Sequence, residues 1–222
     1  MSEAPVIAVD GPSASGKGTI ARRVADELDF HYLESGALYR LVALDSLQRG
    51  IVSGESLVQC ARQLPVSFHN ERILLRDQDV SDAIRSEACG VRASEVARVP
   101  EVRKALLQRQ RAFRMPPGLV ADGRAVGTVV FPDAALKVFL TASPEVRAER
   151  RYKQLKDKGI DANLRALSRD LQDRDARDAN RPVAPLVPAP DSQVLDSSAL
   201  SIDEVVERIL AWWRERSGGA RP

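Results

Sequence analysis

The stretch Val6-Ile7-Ala8-Val9-Asp10, running into Gly11-Pro12-Ser13-Ala14-Ser15-Gly16-Lys17-Gly18-Thr19, constrains this chain more than any other. A short apolar run rich in β-branched residues reads as a buried strand. Two glycines separated by four residues follow, then a lysine, then Ile20, Ala21, Val24 and Leu28 at helical spacing. Strand, glycine-rich turn and helix N-terminus together make a phosphate cradle. Backbone N–H groups of the turn point inward, the helix dipole adds partial positive charge and Lys17 adds a full one. A side chain at Gly11 or Gly16 is expected to push a phosphate away from those donors. The segment Gly11 to Thr19 is therefore expected to bind a nucleoside triphosphate.

The strict form of this motif places Ser or Thr directly after the lysine, where its hydroxyl can hold Mg²⁺. Here Gly18 occupies that place and Thr19 comes one step later. This GKGT variant is similar to the adenylate-kinase-like nucleotide kinases.

A chain of 222 residues suits one compact α/β domain with an inserted subdomain and can bury a sizeable core. Cys60 and Cys89 lack paired-ligand spacing, which points to a reducing compartment without disulfides. No apolar run approaches the ~18 residues of a membrane span, and Met1-Ser2-Glu3-Ala4-Pro5 lacks the regions of a signal peptide. The cytoplasm is the expected location. A net charge of +2 does not point to nucleic acid, but 27 arginines stand against 6 lysines. Arginine's planar fork grips phosphate bidentately. Genome base composition also accounts for such a total, although not for where individual arginines fall.

Strands alternate with helices along the chain. A short strand is predicted at His31-Tyr32-Leu33, then helices over 36–49 and 55–63. Val66-Ser67-Phe68-His69, Arg72 to Arg76 and the segment before Val80 read as small strands joined by turns at Asn70 and Asp77. They interrupt the alternation and read as an insertion. Helices are expected over 91–98 and 100–114, with Pro100 at the first helical position. Leu119 to Asp122 and Leu136 to Leu140 read as buried strands. Ser143 caps a charged helix reaching Gly159, and a second charged helix covers 162–179. Gln193 to Asp196 is a last strand, and Ser201 with Glu204 forms a capping box for a helix through Trp213. The prediction is a three-layer α/β fold built on a phosphate loop. Its five-stranded parallel sheet is covered on both faces, with an inserted antiparallel-strand subdomain and a helical lid.

Three further motifs carry chemistry. Ser35-Gly36-Ala37-Leu38-Tyr39-Arg40 opens the helix after the second strand. Ligands bind at the carboxyl ends of strands in such sheets, so Ser35 and Arg40 are expected in the crevice with Lys17. Asp122-Gly123-Arg124 ends another strand, where the carboxylate can hold Mg²⁺ through water and Arg124 can clamp an acceptor phosphate. Arg174, Asp178 and Arg181 recur on one face of the helix Asp173-Arg174-Asp175-Ala176-Arg177-Asp178-Ala179-Asn180-Arg181 or its exit. Asp170 with Arg174 and Asp173 with Arg177 also suit a solvated helix, at ~0.2–0.5 kcal/mol per pair. A mobile, arginine-studded helix equally suits a lid over a triphosphate.

Taken together, DGPSASGKGT, SGALYR, DGR with GTVVFPDA, and DRDARDANR resemble the bacterial cytidylate kinases in order and spacing, over essentially the whole chain. The resemblance also takes in Arg109-Gln110-Arg111 and Val183-Ala184-Pro185-Leu186. It implies transfer of the γ-phosphoryl of ATP, with Mg²⁺, to CMP or dCMP, by a monomer without a nucleic-acid or membrane partner. It implies one kinase domain over 1–222, with an acceptor-binding insertion at about 64–99 and a lid at about 152–180. Position by position, Lys17 meets the donor phosphates within Gly11 to Thr19. Ser35, Arg40 and Arg124 hold the acceptor, Ser94 and Arg103 contact cytosine, and Asp178 and Arg181 lie near the acceptor sugar and phosphates. Arg174 and Arg177 are lid arginines, and Thr19 and Asp122 serve the metal. The family usually has aspartate after the GR pair, whereas Ala125 stands here. His31 and His69 fall in no motif and read as structural. Two other readings share the first motif, a kinase of another small acceptor such as shikimate or dephospho-coenzyme A, and a nucleotide-dependent switch or nucleic-acid-binding protein. Neither explains SGALYR.

Overall fold

The computed structural model describes residues 3–69, 72–157, 159–181 and 183–218. The predicted turn at Asn70 and the side chain of His69 lie outside the described residues. In chain order the elements are β1 (Val6–Asp10), α1 (Lys17–Leu28), β2 (His31–Glu34), α2 (Ser35–Gln48), α3 (Glu55–Arg62), β3 (Val66–His69), β4 (Arg72–Leu75) and β5 (Gln78–Asp79). Then come α4 (Glu87–Val96), α5 (Pro100–Arg111), β6 (Leu119–Gly123), β7 (Leu136–Thr141), α6 (Pro144–Asp157), α7 (Leu164–Ala179), β8 (Gln193–Asp196) and α8 (Ile202–Arg216). They fall into two compact units, residues 1–33 with 113–222, and residues 34–112.

The first unit is built on a five-stranded sheet of order β2-β6-β1-β7-β8. β1 pairs in parallel with β6 and β7, and β7 in parallel with β8. A central strand is covered on both faces, so β1 can be apolar throughout, and Val6, Ile7 and Val9 are fully buried. Ile20 and Val24 of α1 and Val205 and Ile209 of α8 pack against Ile7, Val9, Val138 and Leu140 of the strands. Phe30 meets Trp213 edge to face, ring centroids 5.7 Å apart. The register sets the site: Val9 lies opposite Asp122 and Asp10 opposite Gly123, so β1 and β6 end side by side.

The second unit holds α2 to α5 and an antiparallel sheet of order β3-β4-β5, the expected interruption of the alternation. Asp45, fully buried on α2, organises it. Its carboxylate accepts from the Cys60 thiol at 2.6 Å and from Arg49 at 3.3 Å, and pairs with Arg76 of the β4–β5 turn. Burial and that carboxylate push the Cys60 thiol up to about 12, so it is an unreactive group. Both cysteines are free and buried.

Boundaries differ from expectation in several places. α4 begins at Glu87 rather than 91, because the Ser86 hydroxyl caps it by accepting from the Cys89 N–H at 3.3 Å. A single helical turn at Ala83–Arg85 precedes it. α5 ends at Arg111, short of 114, ahead of the Pro116-Pro117 pair. A wide turn over Val126–Val130, absent from the sequence reading, follows β6.

Candidate active site

The loop between β1 and α1 owes its shape first to the protein around it. A Cβ on Gly11 would sit 2.0 Å from the Leu140 carbonyl oxygen of β7, so glycine is required there whether or not a phosphate is near. Gly16 holds φ +90 at the N-terminus of α1, and Ala14 holds φ 58. A non-glycine residue in that region stores strain of order 1 kcal/mol, as often happens at ligand clamps.

Asp10, unremarked beyond its place in the strand, proves to be the anchor. Its two carboxylate oxygens accept from the Val126 and Gly127 N–H groups, each at 2.8 Å, tying β1 to the turn after β6. Burial raises its pKa against the pull of those two N–H groups. Asp122 is also buried, and the Tyr32 hydroxyl donates to it at 2.6 Å. Its carboxylate lies against the first turn of α1, 3.8 Å from where a Cβ on Gly18 would stand. Thr19, one residue on, is exposed.

Lys17 donates from Nζ to the Pro12 carbonyl at 3.1 Å. Burial first, then the Arg124 charge, pull its pKa down to about 7, with Arg174 adding to the effect and Asp122 and Asp178 opposing it. Arg124 bridges motifs far apart in the chain. Its Nε donates to Asp178 at 2.8 Å and its Nη2 to Ser13 Oγ at 2.8 Å. Asp178 also pairs with Arg181. Burial alone would raise the Asp178 carboxyl, yet Arg124 and Arg181 hold it below the usual range. Lys17, Arg124, Arg174, Asp178 and Arg181 therefore gather in the first unit. Arg177 donates from Nε to the Asp173 carbonyl of its own helix at 3.1 Å.

The remaining predicted residues lie in the second unit. Ser35 is buried at the start of α2. Arg40 donates from Nη1 to the Ile84 carbonyl at 2.7 Å, and its guanidinium rests against Gly90 of α4, where an added Cβ would be 3.2 Å from Nη2. Ser94, one turn further along the same face of α4, is buried with its hydroxyl oxygen unsatisfied. Arg103 stacks over the Tyr39 ring at 5.7 Å. A buried hydroxyl without a partner suits a polar ligand. In the first unit, His31 donates from Nε2 to the Pro116 carbonyl at 2.9 Å.

Comparison with known proteins shows the family of the chain. The cytidylate kinase family model matches residues 7–215. The chain belongs to the cytidylate kinase family. It is 57% identical over 216 residues to the cytidylate kinase of Polynucleobacter asymbioticus, covering 96% of this chain and 98% of that one. It is 56% identical over 213 residues to that of Bordetella bronchiseptica, covering 95% and 96%. Membership at this level sets aside the shikimate, dephospho-coenzyme A and nucleotide-switch readings. Within a cytidylate kinase fold, sequence reasoning missed Asp10, Tyr32, Arg147 and Arg150. Only Asp10 had a local signal, as a charge ending an otherwise apolar central strand.

Proposed function

We propose that this chain transfers the γ-phosphoryl group of ATP to CMP or dCMP, releasing ADP and CDP or dCDP. The observation that carries the reading is the convergence of Lys17, Arg124, Asp178 and Arg181 where β1 and β6 end, in a member of the cytidylate kinase family. An acceptor phosphate oxygen forms a bond to the γ-phosphorus as the bond to the β–γ bridging oxygen breaks. That oxygen is already largely deprotonated near neutral pH, so no general base is required. Catalysis then rests on positioning and charge neutralisation.

In this scheme Lys17 and the Gly11–Thr19 backbone hold the donor, and Arg124 and Arg174 neutralise charge on the transferring group, with Arg177 joining on lid movement. Ser35, Arg40 and Arg124 hold the acceptor phosphate and sugar, Ser94 and Arg103 meet cytosine, and Asp178 and Arg181 complete the acceptor side. Residues 64–99 and 152–180 serve as acceptor-binding insertion and lid. Thr19 and Asp122 would hold Mg²⁺, Asp122 through water. No group of three or more His, Cys, Asp or Glu able to hold a metal occurs among the described residues. When bound, Mg²⁺ neutralises charge on the bridging and γ oxygens. No helix among the described residues is long and apolar enough to cross a membrane. We take the chain to act as a monomer in the cytoplasm, and the interleaved acids and bases of α7 argue against a nucleic-acid groove. A coupled assay of ADP release with CMP, dCMP, UMP, AMP and TMP tests the proposal. Turnover is expected with CMP and dCMP foremost. Release with AMP alone, or with none of the five, overturns it.

Ala125 bears on selectivity. It is 5% exposed, and its carbonyl opens the turn after β6 by accepting from Val129 and Val130 at 3.0 and 3.3 Å. Where relatives usually offer a carboxylate to the base, this chain offers a methyl group. Ala125→Asp is expected to lower the KM for CMP relative to UMP by about 5–100-fold, the worth of satisfying one buried donor. Steady-state kinetics with CMP, dCMP and UMP check this, and unchanged constants for all three refute it.

A further inference from the structure

Two arginines outside every sequence motif grip the outer side of the phosphate loop. Arg147 and Arg150 stand one turn apart on α6 and so share a face. Arg147, buried at 5% exposure, donates from Nε to the Ala142 carbonyl at 3.0 Å. Its Nη1 donates to the Ser13 carbonyl at 3.2 Å and to the Asp175 carboxylate of α7. Arg150 donates from Nη1 to the Ser15 carbonyl at 3.1 Å and to Ser197 Oγ at 3.0 Å, and from Nη2 to the Ser197 carbonyl at 2.7 Å. Ser197 is itself buried, and its hydroxyl lies 3.0 Å from the Thr141 carbonyl.

The two loop carbonyls held in this way belong to peptide planes 13–14 and 15–16. Among the described residues the cis bond is Pro116-Pro117, so both planes are trans. In a planar trans peptide the C=O and the following N–H point in opposite directions. Fixing the Ser13 and Ser15 carbonyls toward α6 therefore fixes the Ala14 and Gly16 N–H groups away from it. Ala14 and Gly16 are the two loop residues with positive φ, so the backbone between them turns in the manner of an anion-binding nest. A guanidinium bond is charge-assisted, and it polarises the amide, which strengthens the N–H as a donor.

We propose that Arg147 and Arg150 are positioning residues for the phosphate donor, aiming the Ala14 and Gly16 N–H groups at the ATP phosphates from behind. The inference rests on the reading that this chain binds ATP. It goes beyond that reading in assigning loop geometry to α6. Neither arginine touches the donor, and neither acts on the acceptor.

The test uses Arg150→Met, which keeps the aliphatic stem, and Arg150→Lys, which keeps the charge but reaches one carbonyl. Dissociation constants for ATP and for inorganic tripolyphosphate, both with Mg²⁺, are measured beside the KM for CMP and the melting temperature. Arg150→Met is expected to weaken ATP and tripolyphosphate about 10–100-fold, the worth of charged hydrogen bonds, and to leave the KM for CMP unchanged. Arg150→Lys should lose part of that affinity in the same selective way, and it carries the test alone if Arg150→Met does not fold. Donor constants equal to wild type, or donor and acceptor constants rising together, overturn the inference while leaving the kinase reading intact. A wild-type chain that binds neither ATP nor tripolyphosphate overturns the kinase reading, and this inference with it.

Discussion

Lys17→Met lowers kcat/KM for ATP by about 10²–10³-fold, the usual cost of deleting one preorganised donor to a developing anion. The effect should also carry a pH signature. In the ligand-free chain, burial and Arg124 hold the Lys17 ammonium at a pKa of about 7, with Arg174 in the same sense and Asp122 and Asp178 against. A polyphosphate placed beside it favours the charged form and raises that value. Binding ATP between pH 7 and the ordinary lysine range must then take up a proton, and affinity must fall as pH rises through 7. Calorimetry in buffers of different ionisation enthalpy reads this uptake directly. Lys17→Arg, which stays charged throughout, should bind ATP without it. Uptake that persists in Lys17→Arg would assign the proton elsewhere. The same depressed value affects stability in the opposite direction. Between about pH 7 and the ordinary lysine value the unfolded chain holds a proton that the folded chain lacks, so this group's contribution to stability increases as pH rises.

Asp178→Ala is expected to be the most destabilising change in the cluster. The carboxylate is 1% exposed and pairs with Arg124 and Arg181, whose side chains are 17% and 6% exposed. Removing one partner from a buried pair leaves charge uncompensated, at about 3–5 kcal/mol, or roughly 6–20 °C of melting temperature in a chain this size. The sign with pH follows from the depressed carboxyl. Its stabilising contribution is present above the ordinary carboxylate value of about 4 and is lost as pH falls through the lower folded value. The wild type should therefore lose stability steeply below pH 4 while Asp178→Ala loses less, so the two melting curves converge in acid. A melting temperature for Asp178→Ala within error of wild type at neutral pH would show that Arg124 and Arg181 find other partners.

Legibility in the sequence followed the range of the interactions. β1, the loop and α1 are local, and Val6–Asp10 and Lys17–Leu28 stand where periodicity placed them. The capping box on α8 was readable for the same reason, since Ser201 and Glu204 signal across three residues. Gly11 was legible as a requirement but not in its cause, because the Leu140 carbonyl that excludes a side chain comes from a strand far along the chain. Arg147 and Arg150 sit in a helix so rich in charge that pattern alone reads as solvated surface. Their bonds to the Ser13 and Ser15 carbonyls are a tertiary fact, settled by where α6 meets the loop. The hairpin insertion was visible as a change of texture, whereas the Asp45 clamp beneath it joins a helix, a thiol and a turn residue that no spacing rule connects.

The knot at Ser15 has a consequence for biosynthesis. Its carbonyl lies 3.4 Å from the hydroxyl of Ser197, across a separation of 182 residues. The nucleotide loop is therefore translated 182 residues ahead of the serine that backs it. A nascent chain that carries the loop alone still lacks this backing, so the loop's full set of contacts waits until Ser197 has been made.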